Sequence, residues 1–173
     1  MSFWRWLGEL VVLVAAAWLL AAGIKTYVVQ PFVIPSGSMV PTLEISDRVL
    51  VSKFLYRFRE PSPGDIVVFL EPGGGTRDYI KRVVAVEGQT VDIDSGALLV
   101  DGEAVSEPYA QGQKTDDGDV RMPYEVPEGQ VFLMGDNRAN SRDSRWFGAQ
   151  PVTSVLGRAF AIYWPPSRLS VLR

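Results

Sequence analysis

Residues 66–100 read IVVFLEPGGGTRDYIKRVVAVEGQTVDIDSGALLV, and the fold class can be predicted from this stretch. It contains four short runs that are rich in β-branched and apolar residues: Ile66–Leu70, Tyr79–Val86, Thr90–Ile93 and Ala97–Val100. Such runs favour β-strands, and the Pro- and Gly-containing segments between them favour turns. Residues 94–102 (DSGALLVDG) predict a hairpin.

The same pattern continues on both sides of this stretch. Further strands are predicted at Tyr27–Ile34, Arg48–Phe54, Val131–Met134 and Ala159–Trp164. Many short strands separated by turns are typical of all-β sandwiches and barrels. We therefore predict a mainly β fold, a partly open β-barrel or sandwich of antiparallel sheets. Residues 103–127 are polar and interrupted by Pro and Gly, and we expect a variable excursion or a small subdomain there.

The N-terminal segment differs in composition from the rest of the chain. Leu10–Ile24 carries no charged residue, and Trp and Tyr residues flank it. A helix from Phe3 to Val29 would be roughly 40 Å long, enough to cross a bilayer with aromatic residues at both interfaces. We predict a retained transmembrane anchor over residues 1–26 and a β domain over residues 27–173. A cleaved signal peptide and a buried core helix are the alternatives.

Composition excludes several kinds of site. The 173 residues include no Cys and no His. Disulfides, thiolate nucleophiles, Cys- or His-ligated zinc sites and Ser-His-Asp triads are therefore excluded. Catalysis near neutral pH would need a carboxylate, a lysine, a tyrosine or a cofactor. The formal net charge of -3 argues against a nucleic-acid partner, because such proteins usually present a basic face.

Residues 34–43 (IPSGSMVPTL) predict a constrained turn that carries two serines. Gly37 permits unusual backbone conformations, while Pro35 and Pro41 each fix their own φ. A rigid turn that presents a serine suits nucleophilic catalysis, although Ser, Gly and Pro are also common in ordinary loops. The apolar residues around the turn favour a site, because a solvated turn does not need them.

A lysine could activate such a serine. In the predicted strand Tyr79–Val86, alternation puts Lys81 on one face with Tyr79, Val83 and Ala85. Burial on this mostly apolar face would lower the pKa of the lysine, and a neutral amine can take a proton from a serine. A lysine that extends its amine to water at a strand edge is the alternative.

Lys53 is an equal candidate on periodicity alone. It alternates with Val49 and Val51, as Lys81 alternates with its own apolar neighbours. The pattern of the sequence does not separate the two lysines.

The segment MGDNRANSRDSR, which ends at Arg145, is dense in short polar side chains and follows a predicted strand. Two ion pairs are possible within it, Asp136 with Arg138 or Arg142, and Asp143 with Arg145. The segment could be a solvated loop, in which ion pairs contribute little, or a structured loop that braces a site.

Four motifs occur in order behind the predicted anchor: PSGSM (35–39) with PTL (41–43), GDIVVF (64–69), YIKRV (79–83), and GDNR (135–138) with NS (140–141) and DSR (143–145). In this order they resemble the bacterial type I signal peptidases. The chain departs from that family's pattern at Ala85, where glycine is frequent, at residues 87–89, where Pro-Gly-Asp is frequent, and at Ala139, which replaces a commonly acidic residue.

The resemblance implies roles for the matched polar residues. Ser38 matches the nucleophile and Lys81 the general base, which favours Lys81 over Lys53. The Ser36 hydroxyl matches the group that completes the oxyanion hole with the Ser38 backbone N–H. Ser141 matches the serine that hydrogen-bonds to the lysine and orients it.

The resemblance also implies structural and substrate-binding residues. Asp143 and Arg145 match an ion pair near the site. The walls of shallow pockets for small side chains at the −1 and −3 positions of the substrate are matched by Phe32, Ile34, Pro35, Met39, Leu43, Tyr79 and Ile80.

The function implied by the resemblance is a membrane-bound serine endopeptidase. It would cleave N-terminal signal peptides from exported preproteins after small residues at −3 and −1, through an acyl-enzyme intermediate. The anchor would leave a short cytoplasmic tip, with the catalytic domain on the extracytoplasmic side of the cell membrane. Preprotein signal peptides and the lipid bilayer are the expected partners. We expect a monomer, with neither a metal nor an organic cofactor.

Two other functions fit parts of the sequence. Self-cleaving Ser-Lys repressors of the SOS response have a related β core, but they lack an anchor and normally carry a DNA-binding domain. An anchored, non-enzymatic β scaffold that binds exported chains is the third hypothesis, and it predicts that Ser38→Ala retains full processing activity.

Overall fold

In a computed structural model, residues 3–172 are described, except for the side chains of residues 24–27. The helices and strands are, in chain order, α1 (Phe3–Tyr27), β1 (Val29–Val33), β2 (Arg48–Ser52), β3 (Ile66–Leu70), β4 (Asp78–Val86), β5 (Thr90–Asp94), β6 (Ala97–Val100), β7 (Glu103–Ala104), β8 (Tyr124–Glu125), β9 (Gln130–Met134), α2 (Ser144–Phe147), β10 (Gln150–Pro151), β11 (Val155–Trp164) and β12 (Ser170–Val171). The predicted mainly β fold with one N-terminal apolar helix is confirmed.

The larger sheet forms a curled half-barrel of antiparallel strands. Its order is β1-β2-β11-β3-β4-β9-β10, and β12 pairs with β11. Side chains of β3 alternate between two apolar cores, because successive residues of a strand point to opposite faces. Ile66 and Val68 pack in one core, whereas Val67 and Phe69 pack in the other. This double burial explains why β3 is apolar throughout.

The alternation predicted for β4 ends at Val83. The pairing of β4 with β9 shifts register between Val83 and Ala85, as at a β-bulge. Ala85 therefore packs in the same core as its neighbour Val84, and not with Val83. The prediction that Ala85 shares a face with Lys81 was wrong, because a bulge adds one residue and reverses the alternation.

A second, four-stranded sheet has the order β7-β6-β5-β8. The predicted hairpin over residues 94–102 is confirmed as β5 and β6, in which Asp94 pairs with Ala97. The two turn residues, Ser95 and Gly96, have φ values of 54° and 86°. Positive φ at both positions is typical of a type I′ turn, whose twist matches that of the strands. Residues 103–127 supply both outer strands of this sheet.

Helix α1 lies outside both sheets. Within the described residues it is the one helix long and apolar enough to cross a membrane, and its apolar window over Phe3–Gly23 is not buried by the protein. Trp4, Trp18 and many aliphatic side chains of this helix are exposed. The buried-core-helix alternative is therefore wrong.

Candidate active site

Ser38 lies on a short 3-10 helix, Gly37–Met39, in the connection between β1 and β2. Met39 and Leu43 anchor this turn, because both side chains are fully buried in the apolar core that also contains Ile34. The Leu43 N–H donates to the Met39 carbonyl at 2.8 Å. The turn therefore holds Ser38 in a fixed position, with 8% of the residue exposed.

Lys81 reaches Ser38 from strand β4. Its Nζ lies 2.8 Å from Ser38 Oγ and 2.9 Å from the Ile80 carbonyl oxygen, so both are within hydrogen-bond distance. Only 5% of Lys81 is exposed. The structure thus brings together two residues that are 43 positions apart in the sequence.

Burial lowers the pKa of Lys81 from its ordinary value to about 8. The carboxylates of Asp143 and Asp136 oppose this shift, while the guanidinium of Arg145 adds to it. With this pKa, roughly a tenth of the amine is neutral at pH 7, far more than for an exposed lysine. A neutral amine beside a hydroxyl is the arrangement that general-base activation of a serine requires.

Lys53, the competing lysine, is exposed beyond the end of β2. Its backbone N–H donates to the Val28 carbonyl at 3.0 Å. The structure therefore separates the two lysines that periodicity leaves equal.

The loop after β9 braces the serine turn. Asn137 donates its backbone N–H to the Ser38 carbonyl at 3.1 Å and its side-chain Nδ2 to the Gly37 carbonyl at 3.0 Å. A Cβ at Gly135 would lie 2.1 Å from Ser141 Oγ and 2.4 Å from the Ser38 carbonyl oxygen. Only glycine fits there, because the loop and the turn approach each other at backbone distance.

Asp136 links the serine turn to the lysine strand. Its carboxylate accepts two hydrogen bonds from Arg82, at 2.8 and 2.7 Å, and one from the Thr42 hydroxyl. The predicted pairing of Asp136 with Arg138 or Arg142 was wrong. Arg82 follows Lys81 on β4 and reaches Asp136 from the neighbouring strand, whereas Arg138 turns away and pairs with Glu107.

The predicted ion pair between Asp143 and Arg145 is formed, and both side chains are fully buried. The Asp143 carboxylate accepts from Arg145 at 2.8 and 2.9 Å and from the Gly135 backbone N–H at 2.9 Å. It also caps α2 by accepting from the Arg145 backbone N–H. A buried, bidentate pair with a further backbone donor fixes the loop beside Lys81.

The two other predicted serines differ in their surroundings. Ser36 is exposed, and its Oγ lies 3.5 Å from Ser38 Oγ, close enough to face the same substrate atom. Ser141 is buried, but among the described residues its Oγ has no hydrogen-bond partner. The predicted bond between Ser141 and Lys81 is not formed; the two hydrogen bonds of the Lys81 amine go to Ser38 and to the Ile80 carbonyl.

A cleft of about 610 Å³ opens over Ser38 and Lys81. Three of the predicted substrate-binding residues line it, namely Pro35, Tyr79 and Ile80. The other four were expected in the walls but belong to the core beneath or pack against it: Phe32, Ile34, Met39 and Leu43. They contribute to the apolar core and are not part of the cleft lining.

Besides Gly37 and the serines and lysine of the site, the cleft is lined by residues that were not predicted to bind substrate: Arg77, Asp78, Asn140 and Arg142. Asp78 begins β4, and Asn140 and Arg142 flank Ser141. Their closeness to the matched motifs was the signal that could have identified them.

Comparison with known proteins defines the family. A family model described as signal peptidase, peptidase S26, matches residues 7–164. The chain belongs to this family. The resemblance to bacterial type I signal peptidases is therefore confirmed, and so is the enzyme class.

Named relatives agree with this assignment. The peptidase is 39% identical to the probable signal peptidase I-1 of Synechocystis sp., over 96% of its own length and 87% of that protein. It is 35% identical to the signal peptidase I of Mycobacterium tuberculosis, over 96% of its length and 76% of that protein. A crystal structure of a signal peptidase I from Enterococcus faecalis V583 superposes with a TM-score of 0.51 at 32% identity, covering 58% of this peptidase and 97% of that chain.

These findings decide among the hypotheses from the sequence. A signal peptidase cleaves signal peptides, so the repressor and the non-enzymatic scaffold are not the functions of this chain. The half-barrel fold agrees with the structural match.

Proposed function

We propose that this peptidase cleaves signal peptides from exported preproteins through a Ser38–Lys81 dyad and an acyl-enzyme intermediate. One observation carries the proposal, the 2.8 Å separation of Lys81 Nζ and Ser38 Oγ in a nearly buried site. The chain contains no histidine that could act as the base instead.

Each proton in the proposed reaction has a defined route. Neutral Lys81 takes the Ser38 proton as Oγ attacks the scissile carbonyl carbon. The Ser38 backbone N–H and the Ser36 hydroxyl donate to the oxyanion of the tetrahedral intermediate. The Lys81 ammonium then gives its proton to the leaving amine, which departs as the new N-terminus. Lys81 next takes a proton from water, whose oxygen attacks the acyl-enzyme ester, and returns it to Ser38 as the ester breaks.

The substrate would bind as an extended strand in the gap of the half-barrel. Strand β1 stands at the end of the described strand order, and β4 pairs with β9 only from Arg82 onward. An edge of β1 and residues 78–81 of β4 are therefore available to a peptide, as in β-strand addition. The resemblance implies small residues at −1 and −3, and Pro35, Tyr79 and Ile80 are the cleft residues best placed to select them.

Helix α1 would be a retained, single-pass anchor in the cell membrane. Residues 1–26 would include a short cytoplasmic tip, and residues 27–173 would face away from the cytoplasm, where signal peptides emerge. We expect the monomer to be active and no cofactor to be needed. Added protease should digest the β domain in cells stripped of their outer layers and spare it in inverted membrane vesicles; the opposite pattern, a cytoplasmic β domain, would reverse this orientation.

The test of the function uses the full chain in detergent and a synthetic peptide with Ala at −3 and −1. Mass spectrometry should find a single cut after the −1 alanine, and a peptide with Leu at −1 should remain intact. Ser38→Ala should abolish the cut, whereas the matched variant Ser170→Ala, at an exposed serine on β12, should retain it. Cleavage by Ser38→Ala at the unaltered rate would refute the proposed nucleophile.

A further inference from the structure

Residues 107–120 form a strap that packs back from the second sheet onto the active-site loop. The strap contacts three arginines that are themselves buried, Arg82, Arg138 and Arg145. Each of these arginines holds part of the site, so the strap lies directly behind the groups that position Lys81 and Ser38.

Arg138 joins the strap to the start of the loop. Its Nε donates to the Gly135 carbonyl at 3.0 Å, and its Nη1 donates to Glu107 at 2.8 Å and to the Thr115 hydroxyl at 3.1 Å. The Arg138 side chain is fully buried, and 11% of the Glu107 side chain is exposed. This ion pair fixes where the strap begins.

Tyr109 covers Arg82. The guanidinium carbon of Arg82 lies 3.9 Å from the centroid of the Tyr109 ring, which is close cation–π stacking. The Tyr109 hydroxyl donates to Glu107 at 2.9 Å, so the ring is held in place at its far end. The same guanidinium makes the bidentate pair with Asp136.

Arg145 contacts the C-terminal end of the strap. The backbone N–H groups of Asp119 and Val120 donate to the Arg145 carbonyl at 3.0 and 2.9 Å. The Asp116 carbonyl accepts from the Arg145 guanidinium at 3.3 Å. The strap is thus joined to the loop at both of its ends.

We infer that Tyr109 is a positioning residue for the peptidase site, because its ring stacks on Arg82, which in turn fixes Asp136 and the loop behind Lys81. The inference rests on the proposed Ser38–Lys81 dyad. Among the described residues, no hydrogen bond or ring contact joins Tyr109 to Ser38 or Lys81, so it acts through Arg82 and Asp136.

The expected effect follows from the charges around Lys81. Asp136 and Asp143 favour its ammonium form, and Arg145 disfavours it. Its other close neighbours are the Ser38 hydroxyl, the Ile80 carbonyl oxygen and the Tyr79 ring, whose centroid is 5.6 Å away. Without the Tyr109 ring, water would reach Arg82 and weaken its pairing with Asp136. The less compensated carboxylate would then favour the Lys81 ammonium, and the neutral base would form only at higher pH.

The test is the pH dependence of kcat/KM for the full chain in detergent, with the Ala-x-Ala peptide as substrate. Tyr109→Leu should move the midpoint of the acidic limb upward by about half a pH unit or more, with activity at least about threefold lower near pH 7 and recovered at high pH. Tyr109→Phe is the matched control, since it keeps the ring over Arg82 and loses only the hydroxyl. Its midpoint should equal that of the unaltered protein.

An unchanged midpoint in Tyr109→Leu, with activity lower at every pH, would overturn the inference and leave the dyad intact. Should Tyr109→Leu fail to fold, Tyr109→Met replaces it, because an unbranched side chain fills the space without a π face; an unchanged midpoint there overturns the inference equally. Failure of the dyad itself is distinct, since Lys81→Ala would then retain activity.

Discussion

Lys53 directly follows strand β2, and Lys81 lies within strand β4. Both lysines alternate with apolar residues, yet one is exposed to water and the other is buried. Lys53 is exposed where β2 has ended, beside Val28, the residue that follows helix α1. Lys81 lies within β4, which is paired with β3 and β9, and the Ser38 turn lies across it. Alternation therefore predicts on which face of a strand a lysine lies, but the elements packed over that face determine whether the lysine is shielded from water.

The Lys81 amine is buried near three charged side chains, those of Asp136, Asp143 and Arg145. Both carboxylates near Lys81 are engaged by arginines, Asp136 by Arg82 and Asp143 by Arg145. Desolvation is consequently the largest influence on the pKa of Lys81, and the lysine itself forms no ion pair within the described residues. An unpaired, buried lysine costs stability, and this cost is a sign of function more than of structure.

Replacing each of the two lysines by alanine in turn should give the largest difference in activity between two variants. Lys81→Ala should lower kcat/KM by a factor on the order of 10⁴, because it removes the group proposed to accept the Ser38 proton. Lys53→Ala should change it by less than about twofold, as expected at an exposed position. Initial rates on the Ala-x-Ala peptide measure both. Comparable losses in the two variants would overturn the assignment of the base.

Removing the second proposed oxyanion donor should have a smaller effect. Ser36→Ala should lower kcat by roughly 10²- to 10³-fold and leave KM nearly unchanged, because the proposed role of the hydroxyl is in the transition state and the Ser38 backbone N–H is retained. Ser170→Ala is the control. An effect of Ser36→Ala on KM alone would mean that the hydroxyl binds the substrate and does not stabilise the oxyanion.

Replacing Lys81 should lower the activity but raise the stability of the folded protein. Because the native pKa of Lys81 is lowered to about 8, the folded protein binds fewer protons than the unfolded chain between about pH 8 and 10.4. The destabilisation is complete below pH 8, where it amounts to roughly 3 kcal/mol, and it disappears as the pH rises through this window.

Lys81→Met should therefore raise the free energy of unfolding at pH 7 and lose this advantage by about pH 10.4. Part of the gain is offset, because the Ile80 carbonyl loses its donor. Denaturant unfolding in detergent at both pH values measures the effect, with Lys53→Met as the matched control. Destabilisation by Lys81→Met at pH 7 would show that burial does not disfavour the ammonium.

Much of the site could be predicted because its residues lie in short motifs. Ser38 lies in a Pro- and Gly-constrained turn, and the strand around Lys81 is apolar enough to predict burial. The pair of Asp143 with Arg145 spans only two positions. Features of this kind can be predicted, because they depend only on residues that are close together in the sequence.

The parts that could not be predicted depend on distant segments. Arg82 and Asp136 are 54 positions apart, and Glu107 pairs with Arg138 across 31 positions from within a segment without periodicity. The bulge after Val83 left no signal in an uninterrupted run of apolar residues. Met39 was expected in a pocket wall and is fully buried, because the motif fixes the neighbourhood of a side chain and not its direction.

The titration of Lys81 tests the central claim most directly. The full chain, with isotope-labelled lysine, can be titrated by NMR in detergent, and Lys81→Ala assigns the signal. We predict a midpoint near pH 8 for the Lys81 amine, and the signal should respond to Ser38→Ala because the hydroxyl is its neighbour. A midpoint near 10.4, the ordinary value for an exposed lysine, would contradict the account, because the amine would then be protonated whenever the enzyme acts near neutral pH.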